Sequence, residues 1–251
     1  MIKTYDRKNE QQQYQLLKSM IFPVFMLLLM WGVYIWEAVF LVSFDTYGIY
    51  PRDLVGLRGI LFSPFIHGDL QHIVNNSYPV LILGTAIFYF YRRSAKFVLL
   101  YSFLMTGVWV WAMGRSSFHI GASGLIYAWG AFLFTSGVLN KNKRMMGLSL
   151  LVVFLYGSMI WGVLPLMPEI SWESHLFGAI AGVILAVVFK KDGPKKRKYE
   201  WEVNEEEYEI EFWNMTPEEV NKYYLKKAQE KTSGVQPEVS IKYDFKPKKE
   251  D

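Results

Sequence analysis

Cysteine is absent from the 251-residue chain. Its absence excludes disulfide bonds, thiolate metal sites and cysteine nucleophiles, and it leaves the redox state of the compartment undetermined. Charge is also scarce over most of the chain, because residues 20–190 contain only 16 charged side chains whereas residues 191–251 contain 28. A soluble single domain does not divide its charge in this way, so the sequence predicts a membrane-embedded part followed by a polar tail.

Apolar runs fill the charge-poor part of the chain. They are about 18–22 residues long, which suits helices that cross about 30 Å of hydrocarbon. Six spans are predicted, at residues 20–42, 72–91, 97–113, 123–139, 145–164 and 173–189. We therefore predict an all-α polytopic membrane protein in which the connection from Ser43 to Gln71 is the longest loop between spans.

Lysine and arginine are divided unevenly between the two sides of these spans. Sixteen lie on one side, in residues 3–18, 92–96, 141–144 and 190–198, and three lie on the other, at Arg52, Arg58 and Arg115. The side rich in cations is the cytoplasmic side. This predicts cytoplasmic termini, an external long loop and, most simply, a bacterial cell membrane; the net charge of +4 needs no nucleic acid to explain it.

The predicted domains are a cytosolic segment at 1–19, the six-helix part at 20–190, a basic stretch with a cytosolic appendage at 191–231, and a disordered tail at 232–251. The first apolar run is too long for a cleavable signal. Period-two alternation between Tyr199 and Phe212 predicts a β-hairpin. Thr216 to Glu219 reads as a capping box that opens a helix to about Lys231, which makes a small ββα unit. What the tail binds is not indicated.

Four polar side chains are predicted to share one depth near the outer face. At a rise of about 1.5 Å per residue, Asn76 lies about 22 Å, Ser123 about 24 Å and His175 about 21 Å above the cytoplasmic end of its span. His72 lies slightly higher. One polar residue in a span is ordinarily an interhelical hydrogen bond, but the convergence of these four favours a functional site.

A serine hydroxyl needs a base before it becomes a good nucleophile, and His175 is the only ionisable base predicted inside a span at that depth. We therefore predict a Ser123–His175 dyad. Asn76 and His72 are four residues apart on one helical face and can donate hydrogen bonds to a developing oxyanion, as can the Ser123 amide. His119 is interpreted as a residue that makes a loop hydrogen bond.

Small residues explain how such a site is built. Gly121 and Gly124 allow a tight re-entrant loop that starts the fourth span below the membrane surface. Tyr127, one turn later, is predicted to pack on the base. Gly178 and Gly182 form a small-xxx-small pair that allows close helix approach, which a hydrogen bond between the fourth and sixth spans requires.

Three ordered motifs carry a family resemblance: HGDLQHIVNN at 67–76, GASGLIYA at 121–128 and HLFGAIAG at 175–182. Together they closely resemble the rhomboid family of intramembrane serine proteases. The resemblance covers about residues 20–190 and departs in the first loop, where many members carry a Trp-Arg pair and this chain has Tyr50-Pro51-Arg52.

The resemblance implies a six-helix bundle that cleaves single-span membrane proteins near the outer face of the bilayer. It implies Ser123 as nucleophile, His175 as general base, His72 and Asn76 as oxyanion donors, and Tyr127 as the aromatic that supports the base. By the same resemblance, residues 165–172 cap the site and the fifth span is the lateral gate.

Other function classes fit less well. No cofactor and no metal are predicted, because His67 and His72 lack the helical spacing of a zinc motif and no Asp pair exists for aspartyl chemistry. A transporter normally needs charged or discontinuous sites near the midplane. A catalytically silent protein that binds and escorts membrane clients is the alternative function. The expected partners are single-span substrates and the lipid bilayer, without nucleic acid.

Overall fold

The computed structural model describes residues 2–155, 161–165 and 170–194, together with residues 216, 218, 219, 221, 222, 224 and 225. Within this part of the chain the regular structure is helical, without a β-strand. The α-helices are α1 (Ile2–Phe40), α2 (Gly59–Phe62), α3 (Leu70–Phe90), α4 (Ala95–Met113), α5 (Ser123–Leu139), α6 (Lys143–Leu155) and α7 (Trp172–Val188). The predicted all-α architecture is confirmed for these residues.

Three helical segments are long and apolar enough to cross a membrane: Glu10–Phe40 within α1, Leu70–Phe90 and Ala95–Met113. The helices α5 and α7 are apolar as well, but each contains 17 residues. The described part of α6 has 13 residues. Each predicted span overlaps one of these helices, although residues 156–160 of the fifth span lie outside the described residues. The overlap supports an integral membrane protein, while the number of six crossings stays a prediction.

The predictions made from the sequence for the two ends of the chain have different outcomes. The helix α1 begins at Ile2, so residues 2–19 of the polar segment are helical and continuous with the first predicted span. Contacts divide the chain into the units Met1–Lys196 and Arg197–Asp251. In the second unit the Thr216 N–H donates to Glu219 Oε2 at 2.9 Å, as the predicted capping box requires. The predicted hairpin and the tail at 232–251 lie outside the described residues.

The loop between α1 and α3 is ordered by short helical turns and by contacts with the loop that precedes α5. Ile49 and His119 exchange backbone hydrogen bonds of 3.0 and 2.9 Å. The Arg52 guanidinium donates to the Gly114 carbonyl at 2.7 Å and to Ser116 Oγ at 3.2 Å. The arginine of the first loop therefore ties the two loops together.

The helix α5 lies at the centre of the core. Its Trp129, Phe132 and Leu133 are buried, and Tyr91 packs on the Phe132 ring at a centroid distance of 4.7 Å. A helix that is apolar on every face is stable when every face is covered. The neighbours that cover α5 are α3, α4, α6 and α7.

The helices α5 and α7 approach each other closely, and two glycines make this approach possible. A Cβ at Gly178 would collide with the carbonyl oxygen of Gly124, and a Cβ at Gly182 would collide with that of Ala128. Backbone therefore packs against backbone at both positions, as small-xxx-small sequences allow. The N-terminal ends of α5 and α7 are brought together as a result.

Candidate active site

Ser123 and His175 meet where α5 and α7 begin. Ser123 is the first residue of α5 and His175 lies in the first turns of α7. The Ser123 Oγ lies 2.8 Å from His175 Nε2, and His175 Nδ1 lies 2.8 Å from the Gly162 carbonyl oxygen. Because a carbonyl can only accept, Nδ1 carries the proton, and Nε2 of the neutral ring is left to accept from the serine.

An aromatic ring and a glycine hold the imidazole from two sides. The Tyr127 ring stacks on the His175 ring with a centroid distance of 4.2 Å and an angle of 12°. A Cβ at Gly162 would collide with the Tyr127 hydroxyl and would lie 2.9 Å from His175 Nδ1. The ring orientation therefore depends on a stacking partner, a carbonyl acceptor and the absence of a side chain at residue 162.

The helix α3 presents two polar side chains to the same place. Asp69 caps its first turn by accepting from the His72 N–H at 2.8 Å, so His72 and Asn76 follow on successive turns. Asn76 is buried, and its Nδ2 has no hydrogen-bond partner among the described residues. A buried donor without a partner is costly unless a ligand or a reaction intermediate uses it.

The loop that leads into α5 approaches these donors closely at Gly121. This residue has φ of +97°, a conformation that favours glycine. A Cβ there would lie 2.5 Å from His72 Nε2 and 3.4 Å from Asn76 Nδ2. At Gly124 a Cβ would lie 3.0 Å from Thr106 Cγ2, so this position too is closely packed.

One cavity of about 640 Å³ opens over this arrangement. Five of the side chains predicted from the sequence line it: His72, Asn76, Ser123, Tyr127 and His175. The two predicted glycines, Gly121 and Gly124, flank Ser123 in the chain and line a separate small cavity, and the backbone at Gly121 lies against His72. The structure thus brings together every site residue that the sequence singled out.

The other two histidines are not part of the Ser–His pair. His67 is buried with its ring edge-on to His72 at 4.9 Å. Burial, and after it the neighbouring His72, lower the pKa of His67 to about 3. His119 Nδ1 lies 2.5 Å from Ser171 Oγ, and its Nε2 lies 3.1 Å from the Arg115 carbonyl oxygen. Burial lowers the pKa of His119 as well.

Sequence reasoning missed a polar network on the rim of the cavity. Glu173 is 2% exposed, and its Oε1 lies 3.6 Å from Arg115 Nε. The Arg115 guanidinium also donates to the Ile170 carbonyl at 2.6 Å. Ser171 Oγ lies 2.5 Å from His119 Nδ1 and 2.6 Å from Ser174 Oγ, so it links these two side chains. The network ties the loop before Ser123 to the start of α7, which carries the base.

A charged residue at the start of an apolar span is the signal that could have revealed Glu173. Nothing in the sequence indicates a role for Gly162, because it contacts His175 through its backbone carbonyl and not through a side chain. Among the described residues no group of three or more His, Asp or Glu side chains could hold a metal ion. The contact between Ser123 Oγ and His175 Nε2 allows nucleophilic attack by an alcohol with proton transfer to an imidazole.

Glu173→Gln tests the network. We expect a loss of about 1–3 kcal/mol in the free energy of unfolding, because Arg115 keeps its charge and loses its carboxylate partner. Unfolding in detergent measures it, and the control is Asp53→Asn, which removes the same charge from an exposed loop position. Equal stability of the two variants would contradict a structural role for the Arg115–Glu173 pair.

Comparisons with known proteins agree with these motifs. The family model of the Rhomboid domain matches residues 56–192, a span that includes every predicted site residue. Uncharacterized proteins of Mycobacterium tuberculosis and Mycobacterium bovis are 32% identical over 162 residues, covering 61% of this chain and 68% of their own length. An uncharacterized protein of Mycobacterium leprae is 35% identical over 165 residues, which cover 62% of this chain and 65% of that protein's length.

Proposed function

Since the chain belongs to the rhomboid family, whose members are generally intramembrane serine proteases, we propose that it is an intramembrane serine endopeptidase. The observation that carries this proposal is the 2.8 Å contact between Ser123 Oγ and His175 Nε2 beneath an open cavity. An unpartnered amide donor, Asn76 Nδ2, lies in the same cavity wall. A serine, a neutral imidazole and a spare donor are the parts that acyl transfer needs.

The proposed mechanism has two steps. Ser123 Oγ attacks the scissile carbonyl carbon while His175 Nε2 takes the hydroxyl proton, and the amine then leaves with that proton. Water from the cavity next attacks the acyl-enzyme with His175 again as base, releasing the acid and restoring Ser123. In each step the oxyanion accepts hydrogen bonds from His72, Asn76 and the Ser123 amide.

Among the described residues the base has no acidic hydrogen-bond partner, and the proposal takes this into account. In a triad a carboxylate holds the imidazole tautomer; here the Gly162 carbonyl accepts from Nδ1 and Tyr127 stacks on the ring. A carbonyl dipole stabilises an imidazolium less than a carboxylate does. We therefore propose a Ser–His dyad in which packing contributes to the orientation of the base.

The proposed membrane placement follows the distribution of lysine and arginine. It has six crossings, both termini in the cytoplasm of a bacterial cell and the catalytic level about 5–10 Å below the outer edge of the hydrocarbon core. The short α5 suits this arrangement because its first residue then lies below the membrane surface. Water reaches the site from the outer side.

The proposed substrates are single-span membrane proteins. A helical substrate has its carbonyls in intrahelical hydrogen bonds, so the segment around the scissile bond must unwind before Ser123 can reach it. Residues that weaken a helix, such as glycine and proline, are therefore expected near the cleavage site. A cavity of about 640 Å³ has room for a short extended segment.

Labelling with a fluorophosphonate in mild detergent tests the proposed nucleophile. We expect one covalent adduct, located on Ser123 by peptide mass spectrometry, and none on Ser123→Ala. The His175→Ala variant should label far more slowly because no base takes the proton. If wild type does not label, or Ser123→Ala still cleaves a tagged single-span protein, the proposal is wrong; retained binding without cleavage would favour the escort function.

Asn76→Ala tests the oxyanion assignment separately. We expect kcat for a model substrate to fall by about 10²–10³ with little change in KM, since the amide acts on the charge that develops in the intermediate. The control is Ser77→Ala on the adjacent position of α3, where Oγ donates to the Ile73 carbonyl and accepts from Trp31 Nε1, away from the reacting groups. It should keep its kcat. A parallel loss of folded protein in Asn76→Ala would instead indicate a structural role.

A further inference from the structure

A second cavity, of about 410 Å³, lies between α1 and α3 at the end of α3 opposite His72 and Asn76. Its lining residues are Tyr14, Gln15, Lys18, Ser19, Phe88 and Arg92. Neither the proposed chemistry nor the family match to residues 56–192 assigns a role to the α1 side of this cavity. Its described lining residues include two cations and no carboxylate.

Each of the two cations contacts a neutral side chain, which does not neutralise its positive charge. The Arg92 guanidinium donates to Gln15 Oε1, and Lys18 Nζ lies 4.7 Å from the centroid of the Tyr14 ring. Within the described part of the chain the single ion pair is that of Arg115 and Glu173. Two cations that share a cavity repel each other, so an anion bound between them lowers the energy.

The surface next to the cavity is apolar. Phe22 packs on Phe88 with a ring-centroid distance of 5.4 Å, and Phe25 is 54% exposed one turn further along α1. Positions 14, 18, 22 and 25 lie on one face of a helix, because residues three and four apart are neighbours. The basic cavity therefore continues directly into an exposed aromatic strip on the face that Phe22 and Phe25 share.

We propose that this cavity binds the phosphate of an anionic phospholipid at the cytoplasmic face of the membrane. Arg92 and Lys18 contact the phosphate oxygens, with the Tyr14 hydroxyl and the Gln15 amide as neutral donors. The acyl chains lie along Phe22 and Phe25, a feature that favours a lipid over a soluble phosphate compound. Basic pockets at the cytoplasmic side of membrane helices are suited to such headgroups.

The inference rests on the proposed membrane placement and not on the proposed catalysis. Lys18 and Arg92 belong to the cation-rich side of the chain, where the anionic leaflet adds to the attraction. A bound lipid would bridge α1 and α3, the pair of helices that also meets at Gly84, where a Cβ would lie 2.8 Å from Pro23 Cγ. We therefore expect the lipid to raise the thermal stability of the full chain.

Native mass spectrometry of the full chain in mild detergent tests the site, with phosphatidylglycerol and phosphatidylcholine supplied at equal concentration. We expect wild type to retain phosphatidylglycerol selectively and Lys18→Gln/Arg92→Gln to bind it about tenfold more weakly. The matched control is Arg93→Gln/Lys96→Gln, which removes the same charge from exposed neighbours that do not line the cavity. It should bind as wild type does.

Three results would overturn the inference: no selective lipid on wild type, equal losses in both double variants, or equal binding of phosphatidylcholine. Inorganic phosphate at the same concentration distinguishes the two sources of a phosphate group. If phosphate alone raises the melting temperature as much as the lipid does, the ligand is a soluble phosphate compound and the lipid assignment is wrong. Labelling of Ser123 should be unchanged in all variants, which separates this test from the proposed function.

Discussion

Replacing His175 with alanine is expected to lower the rate of cleavage of a single-span substrate by a factor on the order of 10⁴ or more. The imidazole is the group that contacts Ser123 Oγ, at 2.8 Å. Among the described residues that line the cavity the one acidic side chain is Asp69, which caps α3, so no described carboxylate is placed to replace the base. Steady-state cleavage in detergent or liposomes measures the effect.

The double variant Ser123→Ala/His175→Ala gives this prediction its control. Residues that act as one unit lose most of their effect with the first substitution, so the double variant should be about as slow as Ser123→Ala alone. His175→Asn keeps a polar side chain of similar position without a usable base and should also be inactive. Cleavage by His175→Ala at a rate near that of wild type would show that another group accepts the serine proton.

Alanine at Gly182 or Gly178 is expected to cost about 1–3 kcal/mol in the free energy of unfolding and to slow cleavage by about 10²-fold. Each new Cβ meets a carbonyl oxygen of α5, that of Ala128 or Gly124, and a backbone atom cannot rotate away as a side chain can. The helices must separate, and the Ser–His contact lengthens with them. Unfolding in detergent and substrate cleavage are measured on the same preparations.

Gly147→Ala in α6 is the matched control, because a Cβ at that position has no atom within 4 Å. The same change of residue in open space should be neutral or slightly stabilising, since alanine favours a helix over glycine by up to about 1 kcal/mol. Equal behaviour of Gly182→Ala and Gly147→Ala would mean that close approach of α5 and α7 is not required.

The local and one-dimensional features of this protein could be predicted from its sequence. Apolar length, the cation bias and the short motifs at 67–76, 121–128 and 175–182 are properties of contiguous residues, and a helix converts their spacing into depth and face. For this reason His72 and Asn76 could be grouped with Ser123 and His175. The polar composition of the N-terminal segment did not indicate its structure, because α1 already begins at Ile2 and continues through this segment.

Contacts between distant segments depended on the tertiary structure. The Gly162 carbonyl orients the base although its residue has no side chain to suggest a role. Glu173 contacts Arg115, from which it is separated by 58 positions in the sequence. His119 is connected to the same network through Ser171. Such pairings follow from how the loops fold over the helices, which no periodicity encodes.

The sequence by itself determined the helical membrane character, the family and the set of polar residues from which a site can be built. Only the tertiary structure decided that Ser123 and His175 touch, that Tyr127 stacks on the base and that Asn76 keeps an unpartnered donor beside them. The physical reason is distance. Helical spacing sets position along one axis to within a few ångströms, whereas a hydrogen bond depends on tenths of an ångström, and backbone contacts at Gly178 and Gly182 set that separation.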